Sequence, residues 1–103
     1  MDDMKYIRSR ISACEALAQL AEEAAELAQA ALKLRRVLDG TNPTPVRQSE
    51  AIDRVAEEIG DVLLCARVAY FNPDSRGIRD AVRRKKARWA WRLRNAQKAV
   101  DGG

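Results

Sequence analysis

Apolar residues recur every three or four positions along most of the chain, which is the spacing of one face of an α-helix. This spacing predicts three main helices, over residues 4–38, 49–71 and 76–100, and the residues before Cys14 could form a separate short helix. No segment shows the period-two alternation that is typical of a strand. The pattern therefore predicts an all-α fold, a helical bundle of three main helices.

The apolar stripes of the first two helices are expected to form the buried faces of this bundle. Two breaks separate the helices, at residues 39–45 and 72–75, where glycine and proline oppose helix continuation. Ser49 is the predicted N-cap of the second helix, and Asp74 or Ser75 that of the third. The stripes consist of Leu17, Leu20, Ala21, Ala24, Leu27, Ala28 and Ala31 in the first helix, and Ile52, Val55, Ile59, Val62, Leu63, Ala66 and Tyr70 in the second.

The composition narrows the possible chemistry. The chain has 103 residues, which predicts one domain over residues 1–103, and it contains no histidine. Histidine-based general bases, metal sites and nucleophile pairs are therefore excluded. The two cysteines, Cys14 and Cys65, are expected to be small buried hydrophobic residues. No apolar segment approaches the roughly 20 residues of a membrane span, and the N-terminus resembles no signal peptide, so we expect a cytoplasmic protein without a membrane partner.

Charge is distributed unevenly along the chain. The formal net charge is +4, but residues 39–75 carry seven acidic and three basic residues, whereas residues 76–103 carry two acidic and ten basic residues. A basic terminal segment favours phosphate or nucleic acid as a partner. An acidic central segment favours a metal cation, or pairing with the basic segment.

Two acidic pairs lie at helical spacing, Glu23 with Glu26 and Glu58 with Asp61. Positions i and i+3 are about 60° apart around a helix, so each pair shares a face. If the two helices pack antiparallel, all four carboxylates could converge along one side of the contact. Converging carboxylates repel one another, and a hard divalent cation such as Mg²⁺ relieves the repulsion. The alternative is that both acidic faces are simply solvated.

The segments QLAEEAAELAQAALKLRR, DGTNPTP and EEIGDVLL resemble the MazG-like all-α nucleotide pyrophosphohydrolases over about residues 11–71. The resemblance implies hydrolysis of a nucleoside triphosphate between its α- and β-phosphates, giving the monophosphate and pyrophosphate. It also implies Mg²⁺, with Mn²⁺ as a substitute, as the cofactor. The implied metal ligands are Glu23, Glu26, Glu58 and Asp61, and Glu22 would orient or deprotonate the attacking water.

The third helix is strongly basic around Trp89 and Trp91. In the family that the chain resembles, basic residues near the C-terminus meet the triphosphate. The residues implied for substrate binding are Lys85, Arg88 and Arg92, with Lys86 and Asn95 as further candidates. The alternative is that each of these side chains lies on a solvated helix face or pairs with acidic residues in the middle of the chain.

Other functions stay open at this point. A basic helix with two tryptophans could bind nucleic acid, although the carboxylates would repel the strand, so we rank it below hydrolysis. A helical scaffold without catalysis is another alternative, and phosphoribosyl-ATP pyrophosphohydrolase is a related enzyme with a similar acidic motif. Because three helices bury a modest core, we expect a homodimer or homotetramer in which the subunits complete a four-helix-type bundle.

Overall fold

The computed structural model describes residues 2–102, in which four α-helices follow one another along the chain. They are α1 (Asp3–Arg10), α2 (Ala13–Asp39), α3 (Gln48–Val68) and α4 (Arg76–Gly102). No strand occurs in these residues, so the all-α prediction is confirmed. The chain divides into two compact units between Phe71 and Asn72, and a single domain stays a prediction. No helix in residues 2–102 has both the length and the apolar content needed to cross a membrane.

The first predicted helix is divided in two at Ile11 and Ser12. Ile11 ends α1 with extended backbone, and the extended backbone of Ser12 begins α2. The Ser12 hydroxyl accepts a hydrogen bond from the Glu15 amide at 3.1 Å, which satisfies one of the free N–H groups at the start of α2. The alternative prediction of a separate short helix before Cys14 is therefore confirmed. A continuous helix from residue 4 is wrong, because Ser12 caps a new helix.

The break between α2 and α3 begins at Gly40. Its φ of 78° is the left-handed conformation that glycine adopts without strain, and it ends α2. Helix α3 begins at Gln48 with Arg47 as its N-cap, and the Arg47 side chain makes no capping hydrogen bond. Ser49 lies in the first turn of α3, so the prediction that it is the N-cap is wrong. Helix α3 begins at Gln48, two residues before Glu50, where a helix capped by Ser49 would begin.

Helices α2 and α3 pack antiparallel within the first unit. Ala16 of α2 lies in a buried cluster with Val68 and Ala69, at the C-terminal end of α3, whereas Ala30 lines a hollow with Arg54, near its N-terminal end. Ala16, Ala30 and Ala51 are all buried. Small side chains at these positions allow the two backbones to approach closely.

The predicted apolar stripes are only partly buried in this pair. The partly buried members are Leu20, Leu27, Val55, Val62 and Ala66. Leu17, Ile52, Ile59 and Leu63 are between 44% and 47% exposed, and Tyr70 is 70% exposed. The fully buried residues of α3 are Ala51, Glu58 and Val68. The buried face is therefore shifted around each helix from the centre of the predicted stripe, because small alanine side chains occupy the closest part of the contact. Cys14 is also exposed, contrary to the expectation that both cysteines are buried, and Cys65 is partly buried.

The second unit consists mainly of α4, in which no residue is buried. Val82, Trp89, Leu93 and Val100 follow helical spacing and are between 59% and 76% exposed. These positions lie within about 40° of one another around the helix, so they form one apolar stripe. Trp91 lies on another side of α4 and is also exposed.

Candidate metal centre

Three of the four predicted metal ligands meet where α2 packs on α3. Glu23 and Glu26 come from successive turns of α2, and Glu58 comes from the facing side of α3. Each residue offers one carboxylate oxygen, and the three oxygens lie within 4.8 Å of one another. We call Glu23, Glu26 and Glu58 the carboxylate cluster. Among the described residues, this is the one group of three or more acidic or thiol side chains with such spacing.

Glu58 is the most enclosed member of the cluster, with 2% of its side chain exposed. Burial raises the pKa of its carboxyl group, because a low-dielectric environment disfavours the charged form. The Arg54 guanidinium, whose Nη2 lies 2.8 Å from Glu58 Oε1, acts in the opposite direction. Like-charge repulsion from Glu26, a side-chain hydrogen bond with Glu23 and repulsion from Glu23 all raise the pKa further. The negative charge of Glu58 is thus only partly compensated by the protein.

Two oxygens of the cluster lack a hydrogen-bond donor. Glu23 Oε2 and Glu58 Oε2 are both buried and have no hydrogen-bond partner. A buried acceptor without a donor is rare in native proteins, since it loses its interaction with water and gains nothing in return. A hard cation such as Mg²⁺ prefers oxygen ligands of this kind. The donor set therefore fits a divalent cation.

The two remaining predicted acidic residues lie around this cluster. Asp61 is one turn beyond Glu58, is exposed, and lines the same cavity as Glu23. It is not among the three residues whose oxygens lie within 4.8 Å. Glu22 is exposed and neighbours Glu23 along α2. Asp61 therefore stays a predicted metal ligand, and Glu22 stays a predicted residue for orienting or deprotonating the attacking water.

Sequence reasoning missed two cations beside the carboxylate cluster. Lys33 and Arg54 line a hollow of about 400 Å³ together with Glu26 and Ala30. We call this the cationic hollow. The signal was in the sequence, because Arg54 precedes Glu58 by four residues and Lys33 follows Glu26 by seven, which places each on the same face as the carboxylate.

The substrate-binding residues predicted from the resemblance all lie on α4, in the second unit. Lys85, Lys86, Arg88 and Arg92 are exposed, and Lys86 lines a shallow hollow with Arg79, Val82 and Arg83. Asn95 is partly buried, and its side-chain amide donates a hydrogen bond to the Trp91 carbonyl oxygen at 2.7 Å. That bond leaves the Asn95 amide partly engaged within its own helix.

Comparison with protein-family models, with curated proteins and with solved structures gave no match for this chain.

Proposed function

We propose that the protein is a Mg²⁺-dependent nucleoside triphosphate pyrophosphohydrolase, which cleaves between the α- and β-phosphates. The observation that carries the proposal is the carboxylate cluster, in which three carboxylate oxygens converge and two buried oxygens of the cluster residues lack a donor. The resemblance of residues 11–71 to MazG-like enzymes supplies the reaction class. Mn²⁺ is the expected substitute cation.

The chain provides the remaining parts of such a site. Glu23, Glu26 and Glu58 would hold the ion, with Asp61 at the edge of the cluster as a fourth ligand. A bound Mg²⁺ would neutralise phosphate charge and lower the pKa of a bound water. Glu22 would accept a proton from the attacking water, a role that a carboxylate can fill without histidine. Lys33 and Arg54 would attract the phosphates. A role in substrate binding for Lys85, Arg88 and Arg92 stays a prediction from the resemblance.

The proposal includes a homodimer or homotetramer. It is supported by the outward-facing apolar residues of α2 and α3, which leave Leu17, Ile52, Ile59 and Leu63 nearly half exposed. A second copy that covers these residues would complete a four-helix bundle.

Glu58→Gln tests the site, with Glu57→Gln as the matched control. Glu57 is adjacent and its side chain is 70% exposed, so its loss removes the same charge outside the cluster. In a nucleotide panel assayed for pyrophosphate with and without Mg²⁺, we expect hydrolysis to fall by about 100-fold or more in Glu58→Gln, the scale of losing a charge-stabilising group. Glu57→Gln should keep nearly full activity.

Circular dichroism of both variants checks that helicity is retained. Equal activity of the two variants, or no Mg²⁺-dependent pyrophosphate release by the wild-type protein, would overturn the proposal. In the second case, salt-dependent binding of DNA or RNA through α4 would identify the protein as a nucleic-acid-binding one.

A further inference from the structure

Helix α4 carries an apolar stripe to which the proposed function gives no role. Val82, Trp89, Leu93 and Val100 lie within about 40° of one another around the helix, and each is at least 59% exposed. From Val82 to Val100 the stripe is about 27 Å long, at the helical rise of about 1.5 Å per residue. We call these four residues the α4 stripe. Contiguous apolar surface of this kind marks a site of contact with another molecule.

We infer that the α4 stripe lies against the surface of a bilayer that contains anionic phospholipids, with the helix axis in the plane of that surface. The inference goes beyond the proposed function and does not depend on it, since the contact needs neither nucleotide nor metal ion. It departs from the sequence-based expectation of no membrane partner, which rested on the lack of a spanning segment. A helix that lies along the interface needs no such segment, and no spanning helix occurs in residues 2–102.

Basic side chains border the α4 stripe on both of its sides. Lys85 and Arg92 lie along one side, and Arg79 and Lys86 lie along the other, each within about 60° of the nearest edge of the stripe. All four residues are exposed. When the stripe faces hydrocarbon, these long side chains extend to the headgroup level, where their charges meet lipid phosphates. A positive border around an apolar strip therefore complements an anionic bilayer surface.

The charge of the whole segment favours the same partner. Residues 76–103 carry ten basic and two acidic residues. A helix is about 10 Å wide, so cations on its far side also lie within roughly one Debye length of the membrane. Each Lys or Arg held near an anionic leaflet strengthens binding by about fivefold. The segment should therefore discriminate strongly between anionic and zwitterionic bilayers.

The two tryptophans of α4 lie on different sides of the helix. Trp89 belongs to the α4 stripe, and Trp91 lies about 160° away around the helix axis. Indole rings favour the boundary between headgroups and hydrocarbon, where the ring is apolar and its N–H stays near water. Trp89 therefore has the position of a membrane-facing anchor, whereas Trp91 would face water.

Two other occupants fit the α4 stripe less well. Nucleic acid is bound through phosphate contacts and stacked aromatic rings, which leaves the aliphatic side chains of Val82, Leu93 and Val100 unused. A second α4 packed face to face would bring the basic borders of the two stripes together, and like charges repel one another. An anionic bilayer surface uses the apolar and the basic residues at once.

Fluorescence tests the inference, because Trp89 and Trp91 are the two tryptophans of the chain. Full-length Trp91→Phe keeps Trp89 as its reporter, and Trp89→Phe keeps Trp91. Each protein is titrated, without nucleotide, with vesicles of phosphatidylcholine alone and with vesicles in which one quarter of the lipid is phosphatidylserine. With the anionic vesicles we expect Trp89 emission to shift to shorter wavelength and to be quenched by brominated acyl chains. Trp91 emission should change little with either kind of vesicle.

Leu93→Ser and Ala87→Ser form a matched pair, since neither changes the net charge. Leu93 lies in the α4 stripe, and Ala87 is exposed outside it. We expect the dissociation constant for anionic vesicles, measured by cosedimentation, to rise about tenfold in Leu93→Ser, the scale of one large apolar side chain returned to water. Ala87→Ser should bind like the wild-type protein, and circular dichroism checks the helicity of both variants.

Three results would overturn the inference. One is Trp89 emission that anionic vesicles leave unchanged, or equal quenching of Trp89 and Trp91. Another is a shift of Trp89 emission that follows protein concentration and that vesicles do not alter, which would assign the stripe to a second copy of the chain. The last is a response to single-stranded DNA or RNA without a response to vesicles, which would assign α4 to nucleic acid.

Discussion

The burial of Glu58 differs sharply from that of its neighbour Glu57, although the two residues are of the same type. In the sequence it is one of two adjacent glutamates and is indistinguishable by type from Glu57. In the structure Glu58 is almost fully buried, while the side chain of Glu57 is 70% exposed. The difference of about 100° around the helix directs one carboxylate toward α2 and the other toward water.

Arg54 is expected to compete with the cation for Glu58. Its guanidinium lies 2.8 Å from Glu58 Oε1. A cation bound by that oxygen would therefore be repelled by the positive charge of Arg54, or would displace the Arg54 side chain. On the proposed function, Arg54→Gln should tighten Mg²⁺ binding about two- to fivefold, the size of effect that a partly exposed ion pair supports. It should also raise KM for the triphosphate. Isothermal titration with Mg²⁺ and steady-state kinetics measure the two effects.

Lys33→Gln is the matched control for that experiment. Lys33 lines the same cationic hollow but forms no ion pair with Glu58, so KM should rise while Mg²⁺ affinity stays close to the wild-type value. Weaker Mg²⁺ binding in Arg54→Gln would show that Arg54 supports the metal site instead of competing with it.

Asp39 is a residue whose charge should stabilise the protein in a pH-dependent way. Hydrogen bonds from the Thr41 hydroxyl and the Thr41 amide lower the pKa of its carboxyl group. Its contribution to stability is therefore present above the ordinary aspartate pKa of about 3.9 and is lost as pH falls through the lowered value in the folded protein. We expect Asp39→Asn to be less stable than wild type at neutral pH, with the difference closing in acid.

Urea unfolding of both proteins over a series of pH values measures this difference. Thr41→Val removes only the hydroxyl donor and should reproduce part of the effect. A difference between Asp39→Asn and wild type that does not change with pH would contradict the assignment of the effect to the charge of Asp39.

At the scale of the helices, the sequence predicts the interior of each helix better than the residues at which the helix begins and ends. Ser12 and Ser49 look alike as capping signals, since each lies at the start of a predicted or possible helix and has a glutamate nearby. Only Ser12 has the extended backbone and the hydrogen bond to an amide three residues later. The backbone that precedes a serine decides whether it can cap, and residues 43–47 enter α3 without using Ser49.

Alanine substitutions at these two serines are expected to have different effects. Ser12→Ala should lower the free energy of unfolding by about 1 kcal/mol, the usual contribution of an N-cap. Ser49→Ala should leave it nearly unchanged or raise it slightly, because alanine is the better helix former within a first turn. Urea unfolding at neutral pH measures both values. A larger loss in Ser49→Ala than in Ser12→Ala would mean that α3 begins at Ser49 in solution.

At the scale of the whole molecule, the outward-facing side of the α2–α3 pair carries exposed apolar residues. Ile52, Ile59 and Leu63 share one face of α3 and are each between 44% and 46% exposed. Apolar faces of this kind are typical of surfaces that bind another protein. The proposed homo-oligomer would cover them.

Ile52→Lys tests this proposal, because it places a charge on that face at a distance from the carboxylate cluster. We expect the wild-type protein to sediment as a dimer or tetramer at micromolar concentration and Ile52→Lys to shift toward the 11.5 kDa monomer. Ala87→Lys is the control, since Ala87 is exposed and lies outside the apolar stripe of α4. A monomeric wild-type protein would contradict the proposal.

The sequence by itself determined the helical class, the three long helices and the identity of the acidic pairs. These features depend on local properties, namely helix propensity, the 3.6-residue period and the glycine and prolines at the breaks. The spacing of Glu23 and Glu26, and of Glu58 and Asp61, follows from helical geometry alone.

Only the tertiary structure decided which side of each helix faces the other. In the predicted stripe of α3, Val55, Val62 and Ala66 are partly buried, whereas Ile52, Ile59 and Leu63 are nearly half exposed. Ala51 and Glu58, which lie outside the predicted stripe, are fully buried. Periodicity identifies faces but does not choose between them, because the choice depends on how closely two backbones approach and on which side chains fit between them. The same packing brings Arg54 and Lys33 beside the carboxylate cluster and forms the cavity lined by Ile7, Leu64 and Val68, since both require residues that are far apart in the chain to be neighbours in space.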